Sequence, residues 1–228
     1  MKRDIDLVVF DLDGTLADTI PDIAAGVAHV IARYGDFGDI LPLVRASVGN
    51  GVYVLFERVY AALGIAADDR EADVEIFKEY YAQNCAVKTR LYPGTLAALD
   101  ALKEKGIALA VATMKPHKAA GEVLSALGIE GYFTTWMGQE DMLRPKPDPW
   151  CVAECARRCG TDAARTAMVG DSLMDVKSGL GAGALSVAVL GGYYDQQAMR
   201  QSGAHIILND IADLPAALEE KMKGETEK

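Results

Sequence analysis

Apolar residues in this chain change their spacing twice, and the changes divide it into parts. Ile5 to Phe10 is a nearly unbroken apolar run that stops at Asp11, the pattern of a strand buried on both faces. From about Pro21 to Lys88 no strand pattern is found. Apolar positions there recur at helical spacing: Ile23, Val27, Val30 and Ile31, then Val54, Leu55, Val59 and Leu63, then Val74, Phe77, Tyr80 and Tyr81. The turn residues Tyr92-Pro93-Gly94 end that stretch.

From Thr95 onward helices and strands alternate. A helix is predicted from Thr95 to Lys105, stopped by Gly106, and a strand from Ile107 to Ala112. A helix from Pro116 to Leu127 follows, then a strand from Tyr132 to Met137 and a helix from Pro149 to Cys159. Thr166 to Val169, Leu185 to Leu190 and Ile206 to Leu208 complete the strands. Such alternation implies an α/β fold: a Rossmann-like parallel sheet with helices on both faces. The opening strand belongs to that sheet. The expected core is therefore residues 1–16 with 92–228, interrupted by a helical insertion over 17–91. Glu219 to Lys228 is charged and is expected to fray.

At 228 residues, half of them hydrophobic, the chain can fill a sizeable core. Its formal charge of −10 argues against a general nucleic-acid binder, which needs Lys and Arg to neutralise phosphates. One phosphate in a locally basic pocket remains compatible with that balance. No apolar stretch has bilayer length and no secretory signal is visible, so no membrane partner and a cytoplasmic location are expected. Cys151, Cys155 and Cys159 recur every four residues on one helical face without the spacing and histidines of zinc sites. They read as small packed apolar positions, as does Cys85.

The chemistry gathers at strand ends. Asp11-Leu12-Asp13-Gly14-Thr15 follows the first strand directly, and open parallel sheets bind ligands beyond their carboxyl ends. A calcium loop of the EF-hand type is excluded, because Gly14 comes too early and the later glutamate is missing. The strand Ile107 to Ala112 ends at Thr113-Met114-Lys115, and Thr166 to Val169 ends at Gly170-Asp171-Ser172, with Asp175 close behind. Between them lies the proline-stiffened loop Arg144-Pro145-Lys146-Pro147-Asp148-Pro149. Singly, Thr113 and Asp171 also suit helix caps, Lys146 a solvated charge and Asp175 a first-turn acid. Together they bring a hydroxyl, a cation and two more acids to the sheet edge that holds Asp11. No Gly-x4-Gly-Lys-Ser/Thr loop is present, and the glycines from Gly179 to Gly183 suit a helix end better than a dinucleotide fingerprint.

Taken in order, Asp11-x-Asp13-Gly14-Thr15, Thr113, Lys146 and Gly170-Asp171-x3-Asp175 resemble the haloacid dehalogenase superfamily over nearly the whole chain. Val48-Gly49-Asn50-Gly51, Tyr92-Pro93-Gly94, Thr113-x-Lys115-Pro116 and the Lys146 loop are most similar to its phosphoglycolate phosphatase branch. That resemblance implies a Mg2+-dependent phosphatase for a small phosphorylated metabolite, as a monomer or homodimer, with the insertion as a helical cap. It makes Asp11 the nucleophile that forms an aspartyl phosphate, and Asp13 the general acid and base. The metal ligands it implies are the Asp11 carboxylate, the Asp13 backbone carbonyl and Asp171, with Asp175 in support. Thr113, the backbone around Gly14 and Met114, and Lys146 would hold phosphate. Arg45 and Asn50 of the insertion are candidate substrate contacts. Met114 departs from the branch, which commonly carries Asn there, and the departure bears on substrate choice rather than on catalysis. A phosphomutase is the alternative enzyme and a non-catalytic phosphoacceptor module the alternative of another class. Asp13 argues against a dehalogenase, which needs no such acid.

Overall fold

In the computed structural model, residues 4–66 and 69–224 are described. The opening run forms β1 (Leu7–Phe10), every residue of it buried. The chain then makes β2 (Ala17–Asp18) and four helices: α1 (Ile20–Ile31), α2 (Leu41–Ser47), α3 (Val52–Leu63) and α4 (Arg70–Asn84). It returns through β3 (Arg90–Leu91) to α5 (Thr95–Glu104), β4 (Ala108–Ala112), α6 (His117–Ala126) and β5 (Thr135–Met137). α7 (Trp150–Arg158), β6 (Thr166–Gly170), α8 (Leu173–Gly181) and β7 (Leu185–Val189) follow. α9 (Gln196–Arg200), β8 (Ile206–Leu208) and α10 (Leu214–Gly224) end the described chain.

The six-stranded sheet has the order β5-β4-β1-β6-β7-β8 and is parallel throughout. β1 pairs Val9 with Ala110 of β4 on one side and with Met168 of β6 on the other. The chain leaves β1 and β6 in opposite directions, so their carboxyl ends border the crevice where such sheets bind ligands. Alternate residues of β1 serve the two faces. Val8 and Phe10 join Leu99, Leu102, Val123 and Leu214 in one layer, while Leu7 and Val9 meet Cys151, Val152 and Cys155 of α7 in the other. Cys151 and Cys155 are buried there, and burial pushes the Cys151 thiol up to about 11, as inert packing requires.

The helices between β2 and β3 have their own apolar interior. Val27 and Val30 of α1, Phe56, Val59 and Tyr60 of α3, and Val74 and Phe77 of α4 are all buried. Inside it Asp73 is wholly buried and accepts from Arg33 Nη1 (2.6 Å), Tyr34 Oη (2.7 Å) and Tyr60 Oη (2.5 Å). A buried charge is tolerated only with such partners. β2 and β3 pair antiparallel, Ala17 with Leu91 and Asp18 with Arg90, so entry and exit run side by side. Asp22 secures that return by accepting from the backbone N–H groups of Lys88 (2.9 Å) and Thr89 (2.8 Å) and from Thr89 Oγ1 (2.8 Å).

Two expectations are corrected. The strand expected over Tyr132 to Met137 begins only at Thr135, because Glu130–Tyr132 is a 3-10 turn. The Tyr132 hydroxyl reaches Asp100 there, while buried Phe133 meets Phe10 edge-on at 6.4 Å. The tail expected from Glu219 is helical to Gly224, since Leu214 and Leu218 are buried and Lys105 pairs with Glu219. Residues 225–228 lie outside the described residues. Within the insertion, which is helical as expected, α2 adds a helix beyond the three apolar stripes. It is a seven-residue helix with proline at its first turn, too short to show two turns of periodicity.

Candidate active site

Asp11 is the first residue beyond β1, and its backbone N–H still donates to Val169 of the neighbouring strand at 2.9 Å. Its position is therefore set by the sheet rather than by a loop. Thr113 follows β4 and Asp171 follows β6, so these three sit on adjacent strand ends. The carboxylates of Asp11, Asp171 and Asp175 offer oxygens within 4.8 Å of one another, all buried.

Lys146 enters this cluster from the loop before α7. Its ammonium donates to Asp11 Oδ1 (3.0 Å), Asp175 Oδ1 (2.5 Å) and the Ala112 carbonyl (3.0 Å), which fills its three N–H positions. Burial works to discharge it, but Asp11 and Asp175 hold its pKa above the ordinary lysine value. Burial is also the chief reason that Asp11 is pushed up to about 8; Lys146 opposes this, and Asp175, Asp171 and Asp13 add to it. Asp171 is pushed up to about 7 by burial and by Asp175.

One lysine does not balance three buried carboxylates. An all-oxygen donor set of this size and charge fits a hard divalent cation. Gly14 (φ +89°) lets the backbone pass directly over Asp171: a Cβ there would lie 2.3 Å from Asp171 Oδ2. Asp171 accepts from Thr15 Oγ1 (3.0 Å) and from the Tyr193 N–H (2.7 Å), which fixes its plane. Asp175 is held as the third residue of α8, where its Oδ2 accepts from the Ser172 N–H (3.1 Å) and hydroxyl (2.6 Å). With Lys146 on its other oxygen, Asp175 suits a supporting place rather than direct ligation.

Asp13 points elsewhere. It accepts from Thr19 Oγ1 (2.6 Å) and from Lys115 Nζ (2.8 and 3.1 Å to its two oxygens). Lys115 is buried, and its ammonium lies 4.9 Å from the ring centre of Tyr81 of α4. Its backbone N–H donates to Thr113 Oγ1 at 3.2 Å. That contact takes up an acceptor position of the Thr113 hydroxyl and leaves its proton free for an anion.

A cavity of about 1250 Å³ opens over the strand ends and beneath the inserted helices. Asp11, Asp13, Thr113, Met114, Lys146 and Asp171 line its floor, and Arg45 and Asn50 line its upper wall. Arg45 is held by Asp18 (3.2 Å) and lies 5.4 Å from the ring centre of Tyr193. Asn50 donates to Met174 Sδ (3.3 Å) and accepts from Arg58 (3.0 Å). Both thus stand at the seam between insertion and sheet.

Sequence reasoning assigned no part to Lys115, Thr15, Thr19 or Tyr193. Lys115 lay inside a quoted motif, so its proximity to Thr113 was the available signal. Tyr193 had none, because its phenol accepts from the Thr19 N–H (2.6 Å) across 174 residues of chain.

Comparison with known proteins places the chain in a family. The family model described as haloacid dehalogenase-like hydrolase matches residues 5–183. A phosphoglycolate phosphatase of Neisseria meningitidis is 38% identical over 208 residues, 88% of this chain and 86% of that protein. One from Mesorhizobium japonicum is 34% identical over 95% of this chain and 96% of its own length. The crystal structure of a predicted phosphoglycolate phosphatase from Haemophilus somnus superposes with a TM-score of 0.85 at 31% identity, covering 93% of this chain and 97% of that one. On the fold, the strand-end carboxylates and these matches, the chain belongs to the haloacid dehalogenase-like hydrolase family.

Proposed function

We propose that this protein is a phosphatase that hydrolyses a small phosphomonoester, of the phosphoglycolate kind, through an aspartyl phosphate on Asp11. The observation that carries the reading is the meeting of Asp11, Thr113, Lys146 and Asp171 at three adjacent strand ends, with Asp13 beside them on the cavity floor. The names of the relatives point to the same substrate class.

The Asp11 carboxylate attacks phosphorus, and the bond from phosphorus to the leaving oxygen breaks. Asp13 gives its proton to that oxygen. It then takes one from the water that cleaves the aspartyl phosphate, which restores Asp11 and releases inorganic phosphate. The Thr113 hydroxyl and the Met114 backbone donate to the phosphate, and Lys146 offsets charge on both reacting anions. Mg2+ is the proposed metal, with the Asp11 and Asp171 carboxylates and the Asp13 carbonyl to hold it and Asp175 behind them. It would supply the positive charge that lets two anions approach.

Residues 17–91 act as a cap over a core of 1–16 and 92–228, excluding bulk water and presenting Arg45 and Asn50 to the leaving group. Among the described residues no helix is long and apolar enough to cross a membrane. A cytoplasmic monomer or homodimer is the working state that accords with this. Phosphate release from a panel containing 2-phosphoglycolate, hexose phosphates and nucleotides tests the reading. The expected result is Mg2+-dependent release from a small ester. Transfer of the phosphoryl group to a sugar without release would indicate a mutase instead.

A further inference from the structure

We propose that Lys115 forms a subsite for a carboxylate carried on the leaving group of the substrate. The proposal rests on the phosphatase reading above and adds to it, beside Arg45 and Asn50, a residue for the acidic group of the leaving half.

Six cations line the cavity: Arg45, Arg58, Lys78, Lys115, Lys118 and Lys146. Lys146 has all three donors placed on Asp11, Asp175 and Ala112. Arg45 is engaged by Asp18, and Arg58 by the Ser47 carbonyl and Asn50. Lys78 is half-buried and spent on Glu75 of its own helix and on the ring of Tyr53, while Lys118 is exposed and pairs with Glu122. An exposed, screened ammonium discriminates little between ligands. Lys115 differs in being buried, at 5% exposure, on the floor itself. Among the described residues Asp13 is its one ion-pair partner, and beyond it the ammonium meets the face of Tyr81.

Its place relative to the reaction follows from two contacts. Its backbone N–H donates to Thr113, assigned above to the phosphate, and its ammonium is 2.8 Å from Asp13, assigned above to the leaving oxygen. A group that protonates that oxygen stands within hydrogen-bond reach of it, so the ammonium lies within about 6 Å of the same oxygen. A carboxylate two bonds further along the leaving group spans most of that gap while Lys115 stays where it is. One ammonium with one donor to give suits a carboxylate. A second phosphate, with more oxygens and charge, calls for several donors or an arginine fork. Met114 beside it brings no polar group. In this segment the selectivity for an acidic leaving group therefore falls to Lys115.

The test compares 2-phosphoglycolate with ethyl phosphate, which has the same chain with a methyl in place of the carboxylate. The wild-type protein should favour 2-phosphoglycolate in kcat/KM by about a hundredfold, the effect of one desolvated charge pair. Lys115→Met should bring that ratio to within a few-fold of unity, and Lys115→Arg should recover part of it. Calorimetry in an Asp11→Asn background supplies a readout without turnover. There Lys115→Met should weaken 2-phosphoglycolate binding about a hundredfold and inorganic phosphate far less. An unchanged substrate ratio, or equal losses for phosphate and phosphoglycolate, would overturn the subsite. If the wild-type protein cleaves neither ester the phosphoglycolate part of the reading above falls, and the calorimetry still decides the subsite. Should Lys115→Met not fold, Lys115→Gln carries the same comparison.

Discussion

The Lys146 ammonium stands 3.0 Å from Oδ1 of Asp11, with both side chains nearly shut off from water. The pair fixes one carboxylate oxygen and leaves the other available for the attack proposed above. Asp11→Asn keeps the shape but removes the proposed nucleophile, so kcat should fall by at least about three orders of magnitude. Near-normal turnover by the purified variant would refute Asp11 as nucleophile.

Asp13 should fail differently. A nitrophenolate leaving group departs with little need of a proton, so Asp13→Asn should still transfer phosphoryl from p-nitrophenyl phosphate to Asp11. Hydrolysis of the aspartyl phosphate should then stall. Rapid quench should show a burst approaching one equivalent, slow turnover after it, and a hydroxylamine-labile phosphoprotein. Turnover of the intermediate at the wild-type rate would mean that another group activates water.

Metal removal gives a third expectation. Chelation should abolish phosphate release and Mg2+ should restore it. Ca2+ should restore it poorly, because its larger, looser shell lets it occupy a carboxylate in a geometry unsuited to attack. Full activity in excess chelator would exclude the proposed metal.

The same carboxylates set a pH dependence that needs no assay of activity. Burial pushes Asp11 up to about 8 and Asp171 up to about 7, well above the ordinary carboxylate range. Without metal the folded protein therefore holds protons that the unfolded chain gives up. The stability these two groups contribute is present at low pH and is lost as pH rises through their folded values. A cation must displace those protons, so Mg2+ affinity should rise between about pH 6 and 8 and binding should release protons. Calorimetry in buffers of different ionisation enthalpy measures both, and an affinity independent of pH would contradict the assignment.

Asp73 gives a prediction about stability. Three donors converge on it at 2.5–2.7 Å in the interior of the inserted helices. Asp73→Ala leaves the Tyr34 and Tyr60 hydroxyls without their acceptor, while water can serve the exposed Arg33, and should cost about 1–3 kcal/mol in urea unfolding. A loss below about 1 kcal/mol would mean that water reaches those donors freely.

Much of this architecture was legible because strand ends announce themselves. An apolar run broken by Asp11, Thr113 or Asp171 locates both a strand boundary and a functional group, and the structure brings those three to adjacent strand ends. α1, α3 and α4 were visible for a similar reason, since each buries a helically spaced stripe. What escaped depends on partners distant in sequence. The two-residue strands β2 and β3 have no periodicity and exist only as a pair. Lys115 looked like an ordinary lysine until Asp13, 102 residues away, was placed against it. Tyr193 likewise acquires a role only when the loop after β7 folds over Asp171 and Thr19.

The pairing of Ala17 with Leu91 and of Asp18 with Arg90 turns two departures from the sheet into one doorway. Everything between them hangs from a closed neck whose ends meet in register whatever lies above. Closing a longer or shorter loop changes the entropy of the chain only slowly with its length. Helices can therefore be lengthened, replaced or reshaped beyond the doorway with little penalty to the sheet below. Whatever part of substrate choice lies beyond the doorway is free to drift through sequence, while Lys115 and the strand-end residues below it stay in place. One catalytic floor can in this way be let to many tenants.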